Sequence, residues 1–420
     1  MAVTAPAAVT VRMYNVGFGD CFLLTFRYAH GARHMLVDFG STAAPRNASK
    51  KTDYMERVAQ DIKATCAGKL DVLVATHRRR EHISGFSTDV ATGRIIADLR
   101  PDHVIQPWTE DPGTKVDSPE MTGQFLGALA DMQVVAAAIK QLAADETLAG
   151  KQTREQLQLI GDGNRESTSA AKNLRAMGQR SRAHYVSAGM ELSVLPGVKC
   201  TVLGPPTLRQ SETVRKERVR DPASFRQFRS FWGAQSLAMG QTLARVPATS
   251  RAKRARNAEL PPNVRWFVNQ SRQIRATQLL SLARDLDTVL SNTSVILLLE
   301  VGRRKILLPG DAQIENWSYA LSKPEWRDLL AEVDLYKVGH HGSLNATPKP
   351  LWALFENKGG PGTRNRLETL CSTRAGRYGS VASGTEVPRR VLVQELERDS
   401  RFTSSEGSRD PFYNEVTLEC

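Results

Sequence analysis

Three short apolar runs in this chain each stop at a residue able to bind a metal, and that recurrence constrains the fold more than any other feature. Residues 70–76 (LDVLVAT) lead into His77 and His82, residues 305–308 lead through Pro309-Gly310 into Asp311, and residues 335–338 lead into His340 and His341. Apolar runs of roughly four to eight β-rich residues are what strands buried on both faces require. Ligands placed where such strands stop are held rigidly along one edge of a sheet. Imidazole and carboxylate are the groups that hydrolytic Zn²⁺, Mn²⁺ or Fe sites use, so a metal centre is the expectation.

The surrounding pattern is α/β. Residues 9–13 and 21–26 read as strands joined by the glycine-bearing turn NVGFGD, residues 34–38 read as a third, and 104–106 as another short one. Met55, Val58, Ile62 and Cys66 recur at helical spacing, and residues 120–148 are an Ala- and Leu-rich helical stretch. Strand character returns over 192–203, and residues 293–301 and 305–308 form a hairpin-like pair around Gly302. No run approaches the ~18 apolar residues that span a bilayer, and the opening MAVTAPAAVTVRM lacks the basic start and apolar core of a signal peptide. The expectation is a soluble, cytoplasmic protein with no membrane partner. Cys21, Cys66, Cys200, Cys371 and Cys420 show no CxxC spacing and read as reduced structural thiols.

Charge is unevenly spread. The 420 residues carry a net +13, and residues 209–275 alone hold 15 Lys and Arg against four Asp and Glu, which leaves the rest nearly neutral. Aromatics Phe225, Phe228, Phe231, Trp232, Trp266 and Phe267 interleave these basic residues. A solvated helical face explains such a run; so does a platform for a phosphate backbone, with Arg251, Lys253, Arg254 and Arg256 as the nucleic-acid-binding residues.

The stretches MYNVGFGDCFLLTF, LVDFGS, LVATHRRREHISGF, VLGPP, SNTSVILLLEVGRRKILLPGDA, YKVGHHGS and STRAGRYGS followed by TEVPRRVL resemble, in order and spacing, the metallo-β-lactamase fold family. Within it they are similar to soluble hydrolases related to the hydrolase domain of competence-type DNA-uptake proteins. They run from Met13 to about Leu392, nearly the whole chain. The resemblance implies one αββα sandwich domain over residues 1–420, with insertions at about 119–190 (helical) and 209–275 (basic, helical).

The family's signature is His-x-His-x-Asp-His, shared between two metals. Here it reads His77-Arg78-Arg79-Arg80-Glu81-His82. His77 and His82 match, Glu81 replaces the Asp, and Arg79 stands where the second His belongs. A guanidinium does not deprotonate and does not ligate zinc. Asp311 matches the family's bridging aspartate; His341 is favoured as a ligand with His340 behind it, and Asp38 matches an aspartate that orients the first histidine loop by hydrogen bonds. One family histidine has no match, since His184, beyond His103, sits in surroundings that read as helical. The implied metal ligands are therefore His77, Glu81, His82, Asp311 and His341, with His82 and Asp311 catalytic, and at most one tightly bound zinc or manganese ion.

Two functions fit these residues. In the first, the centre hydrolyses a phosphodiester of nucleic acid or nucleotide, with Arg78, Arg79 and Arg80 neutralising phosphate charge. In the second, three arginines crowd out the cations, and the chain is a degenerate pseudoenzyme that binds a phosphate ligand or an acidic protein partner as a regulatory subunit, for example in a multi-component system such as phage defence.

Overall fold

The computed structural model describes residues 5–112, 167–207, 210, 293–408 and 412–420, except 47, 49, 380, 382, 383 and 385. The chain divides into two compact units. The first comprises Met1–Lys115, Gly163–Ser211 and Thr288–Cys420. The second, Val116–Asp162 with Glu212–Asp287, lies outside the described residues, and with it the basic run and Arg251, Lys253, Arg254 and Arg256.

The first unit is mixed α/β, built on two seven-stranded mixed sheets. Strands β1 (Ala8–Tyr14), β2 (Cys21–Tyr28), β3 (Gly31–Phe39), β4 (Val72–Val74), β5 (His103–Pro107) and β6 (Arg182–Val186) belong to the first sheet. Strands β7 (Glu191–Leu195), β8 (Val198–Gly204), β9 (Ile296–Val301), β10 (Arg304–Leu308), β11 (Leu335–Lys337), β12 (Glu368–Cys371) and β13 (Arg401–Ser404) make the second. The last strand, β14 (Tyr413–Glu419), returns to the first sheet beside β1, giving the order β14-β1-β2-β3-β4-β5-β6. The second sheet simply runs from β13 to β7.

Both sheets follow one plan. The strands up to β3 and up to β10 pair antiparallel; β3-β4-β5-β6 and β10-β11-β12-β13 pair parallel. A parallel step needs a crossover, and here helices supply it: Lys51–Thr65, Ala91–Ala97 and Thr168–Arg180 in the first sheet, and Ile314–Leu321, Pro324–Ala331, Lys349–Leu354 and Arg390–Asp399 in the second. Alternate strand residues sort accordingly. Val11, Phe22, Leu24 and Val74 of the first sheet share one buried cluster with Val202, Leu297, Leu299 and Leu308 of the second. Leu23, Leu36 and Leu73 turn the other way, onto Val58, Ile62, Ile96 and Leu174. Leu298, Leu307 and Tyr336 pack on Trp317, Leu330, Leu351 and Leu396. Residues buried on both faces explain why β4 and β9 read as unbroken apolar runs.

Three details differ from the sequence reading. The helical insertion expected over 119–190 does not reach 190, because Arg182–Val186 is the strand β6 at the edge of the first sheet, and His184 lies on it. Its side-chain sequence RAHYV lacks the alternation that marks a half-buried strand. The single run expected over 192–203 is two strands, turning at Gly197 with φ 66°. The run over 70–76 shortens to Val72–Val74, which leaves Thr76 and His77 in the loop after it. Among the described residues no helix is long and apolar enough to cross a membrane.

Candidate metal centre

The C-terminal ends of parallel strands from both sheets deliver the site. Asp38 comes from β3, Thr76 and His77 follow β4, Asp311 follows β10, Lys337 ends β11 and is followed by His340 and His341, and Ser372 follows β12. The short helix Arg80–Ile83 adds Glu81 and His82, both buried. Two glycines make the convergence possible. A Cβ on Gly40 would stand 2.6 Å from backbone atoms of Arg80, Glu81 and His82, and one on Gly310 (φ 55°) would stand 2.8 Å from Thr76. The backbone is strained at the centre: Asp38, His340 and His341 take φ of 58°, 43° and 53°, a region non-glycine residues rarely occupy.

Asp38 is the anchor. Its Oδ1 accepts the Thr76 N–H at 2.7 Å, and its Oδ2 accepts the Thr76 hydroxyl and the His82 Nδ1–H, each at 2.7 Å. The Thr76 oxygen, its proton given to Asp38, takes the Nδ1–H of His77 at 3.1 Å. His341 donates its Nδ1–H to the carbonyl of Ser372 at 2.9 Å. With each Nδ1 so engaged, the Nε2 atoms of His77, His82 and His341 point inward, fully buried and without a hydrogen bond, as do both oxygens of Asp311. They stand 3.9, 3.0 and 3.8 Å from Asp311 Oδ2.

His340 differs. Its Nε2 is 3.2 Å from Arg79 Nη1, and its Nδ1 is 3.5 Å from Gln313. Burial first, and Arg79 beside it, push its pKa down to about 3 despite Asp311. His77 is also held neutral, by burial and by neighbouring His82. His82 goes the other way: burial opposes its charge, but Asp311, Asp38 and Asp20 outweigh it and raise the pKa well above the usual range. An imidazole so crowded by carboxylates takes a proton or a metal ion in its place.

Two members of the centre escape the sequence reading. Asp20, in the turn after β1, forms a buried ion pair with Lys337, and its other oxygen is 3.4 Å from His341 Nδ1. Burial works against its charge, yet Lys337, His82 and His341 hold it at about 2. The Lys337 ammonium also donates to the Gly310 carbonyl at 2.8 Å and stands 3.6 Å from Asp311 Oδ1. A lysine closing an otherwise apolar strand was the signal available in the sequence. The turn NVGFGD had a visible acid, but nothing local pointed it at residue 337.

The arginine loop splits. Arg78 makes a two-pronged pair with Glu110 at 2.8 Å on each prong. Arg79 is buried and ion-paired with Glu81, with Nη1 3.7 Å from Asp311 Oδ2. Arg80 is half-buried, and no described residue forms an ion pair with it. His103 and His184 pair with each other at 2.9 Å on β5 and β6, and none of the ligand groups includes either.

The donors fit a cation. Among the described residues His77, His82 and Asp311 each offer one atom within 4.8 Å of the others, and Glu81, Asp311 and His341 do the same. Imidazole nitrogens and carboxylate oxygens left without hydrogen bonds, with their far sides anchored, are the donor set that zinc or manganese takes. No protein-family model matches the chain, and no curated protein matches it.

Proposed function

We propose that the chain is a metal-dependent phosphodiester hydrolase of the metallo-β-lactamase type, an αββα sandwich whose centre holds one zinc or manganese ion. The observation that carries this reading is the convergence of the His77, His82 and His341 Nε2 atoms on the Asp311 carboxylate, with every Nδ1 anchored elsewhere. A divalent cation on those ligands supplies Lewis-acid polarisation of a water and of a phosphoryl oxygen. The chain supplies the rest. Asp38 and Thr76 fix the histidine tautomers, Lys337, itself paired with Asp20, stands behind Asp311, and Arg79 and Arg80 set positive charge against the phosphate. Nucleic acid or a nucleotide is the substrate class, supported by the basic surplus in residues 209–275.

The test is elemental analysis of the purified protein together with cleavage of bis(4-nitrophenyl) phosphate and single-stranded DNA. About one metal equivalent is expected, and Asp311→Ala should abolish turnover. A metal-free, inert wild type would overturn the reading. One observation favours a second reading, a degenerate phosphate-binding or regulatory subunit: Arg79 and Lys337 already neutralise Glu81 and Asp20 from within. That protein would bind nucleotide without cleaving it.

A further inference from the structure

We propose that the Arg79 guanidinium takes the place of a second metal ion at this centre, as the fixed cation that neutralises Glu81 and Asp311 and meets the phosphoryl group of the substrate. This rests on the hydrolase reading above and adds a role for a residue that cannot ligate.

Two possible ligand sets share one carboxylate: His77, His82 and Asp311 on one side, and Glu81, Asp311 and His341 on the other. Arg79 is seated in the second. Its Nη2 is ion-paired with Glu81 Oε1, and its Nη1 lies 3.7 Å from Asp311 Oδ2 and 3.2 Å from His340 Nε2. The sequence forces this placement, because Arg79 is the extended residue that opens the helix Arg80–Ile83, whose next residues bring Glu81 and His82 inward. A guanidinium does not release its proton, so its charge is permanent. A metal ion entering the same set would face that charge within a few ångströms, across a carboxylate the two must share.

Exposure gives the direction of the substrate. Asp311, His82 and His341 are 0% exposed, and His77 and Glu81 1%. Arg79 at 3% and His340 at 7% are more exposed than any of these, and His340 is held to Arg79. A phosphoryl group entering past His340 and Arg79 meets the fixed charge of the guanidinium.

The experiment compares bound zinc per chain in the wild type, Arg79→His and Arg79→Lys, after removal of free metal and with the fold checked by circular dichroism. Arg79→His replaces the charge by a ligand and should bind one ion more than the wild type. Arg79→Lys keeps the charge and should bind the same number as the wild type. An unchanged count in folded Arg79→His, or an extra ion in Arg79→Lys, overturns the proposal. Should Arg79→His not fold, calorimetric zinc titration of Arg79→Gln decides: a second binding event absent from the wild type supports it, and an isotherm identical to the wild type overturns it. A wild type without metal sinks the hydrolase reading alone, since the difference between variant and wild type still reads the role of Arg79.

Discussion

His82 gives its Nδ1 proton to Asp38 Oδ2 at 2.7 Å, and that single hydrogen bond decides which nitrogen of the ring faces the centre. The same carboxylate holds the Thr76 hydroxyl that orients His77, so one side chain sets two tautomers.

Asp38→Asn tests that control. Asparagine tolerates the left-handed backbone at this position, so the change removes charge and acceptors with little backbone strain. Zinc affinity measured by competition with a chelator should fall about 10- to 100-fold, the usual cost of losing an outer partner of ligating histidines. Unchanged affinity would mean that His77 and His82 do not hold the ion.

Lys337→Met should be among the most destabilising single changes in the protein. It strands Asp20, which is 0% exposed, without its partner. Breaking a buried pair from one side costs about 3–5 kcal/mol. Urea unfolding of Lys337→Met, of Asp20→Asn and of the double variant forms the cycle that reads the coupling. Additive losses would show that the two groups act independently.

Gly310→Ala probes the backbone that aims Asp311. The position has φ 55°, and the new methyl would meet Thr76 at 2.8 Å. The left-handed backbone alone costs about 1–2 kcal/mol, and relief of the clash displaces Thr76 from Asp38. Loss of bound zinc together with a lowered melting temperature is expected, whereas a melting temperature equal to the wild type would refute the close approach.

The His103–His184 pair carries a pH dependence distinct from that of the candidate centre. Burial lowers the pKa of both, with Arg182 next for His103 and His103 next for His184. A histidine whose folded pKa lies below its unfolded value binds fewer protons when folded, so its contribution is intact above about pH 6.5 and is lost as pH falls below that. Unfolding free energy compared at pH 7.5 and 5.5 should drop less in His103→Gln/His184→Gln than in the wild type. Equal slopes would place the titration elsewhere.

The basic run of residues 209–275 makes a prediction about salt. If it tracks a phosphate backbone, changing Arg251, Lys253, Arg254 and Arg256 to Glu should weaken single-stranded DNA binding. The log K against log salt slope should flatten by roughly 0.7 for each phosphate no longer neutralised. Salt-independent binding would return these residues to a solvated surface.

The residues of the candidate centre were legible in the sequence because parallel strands buried on both faces announce themselves as apolar runs, and the centre lies where they stop. His77, His82, Asp311 and His341 needed only that rule. Asp20 and Lys337 obeyed a different one: their pairing joins residues 317 positions apart, across the two sheets, and nothing in either local pattern encodes it. The pairing of Arg78 was hidden for the same reason, since its partner Glu110 is supplied by the loop after β5. His184 was misplaced because β6 is a partly exposed edge strand, with little hydrophobic burial to give it a period.

The pairing of β14 with β1 has a consequence for synthesis. Strand β1 is made long before β14, with Ala8 opposite Glu419 and Tyr14 opposite Tyr413. During translation β1 can pair with β2 at once, but its other flank stays bare until Tyr413–Glu419 leaves the ribosome. A strand with unpaired N–H and C=O groups along one flank is a template for any other extended chain. Nascent copies on one messenger would thus be adhesive to one another from the synthesis of β1 until that of β14, and a truncation ending before Tyr413 would make that adhesive state permanent.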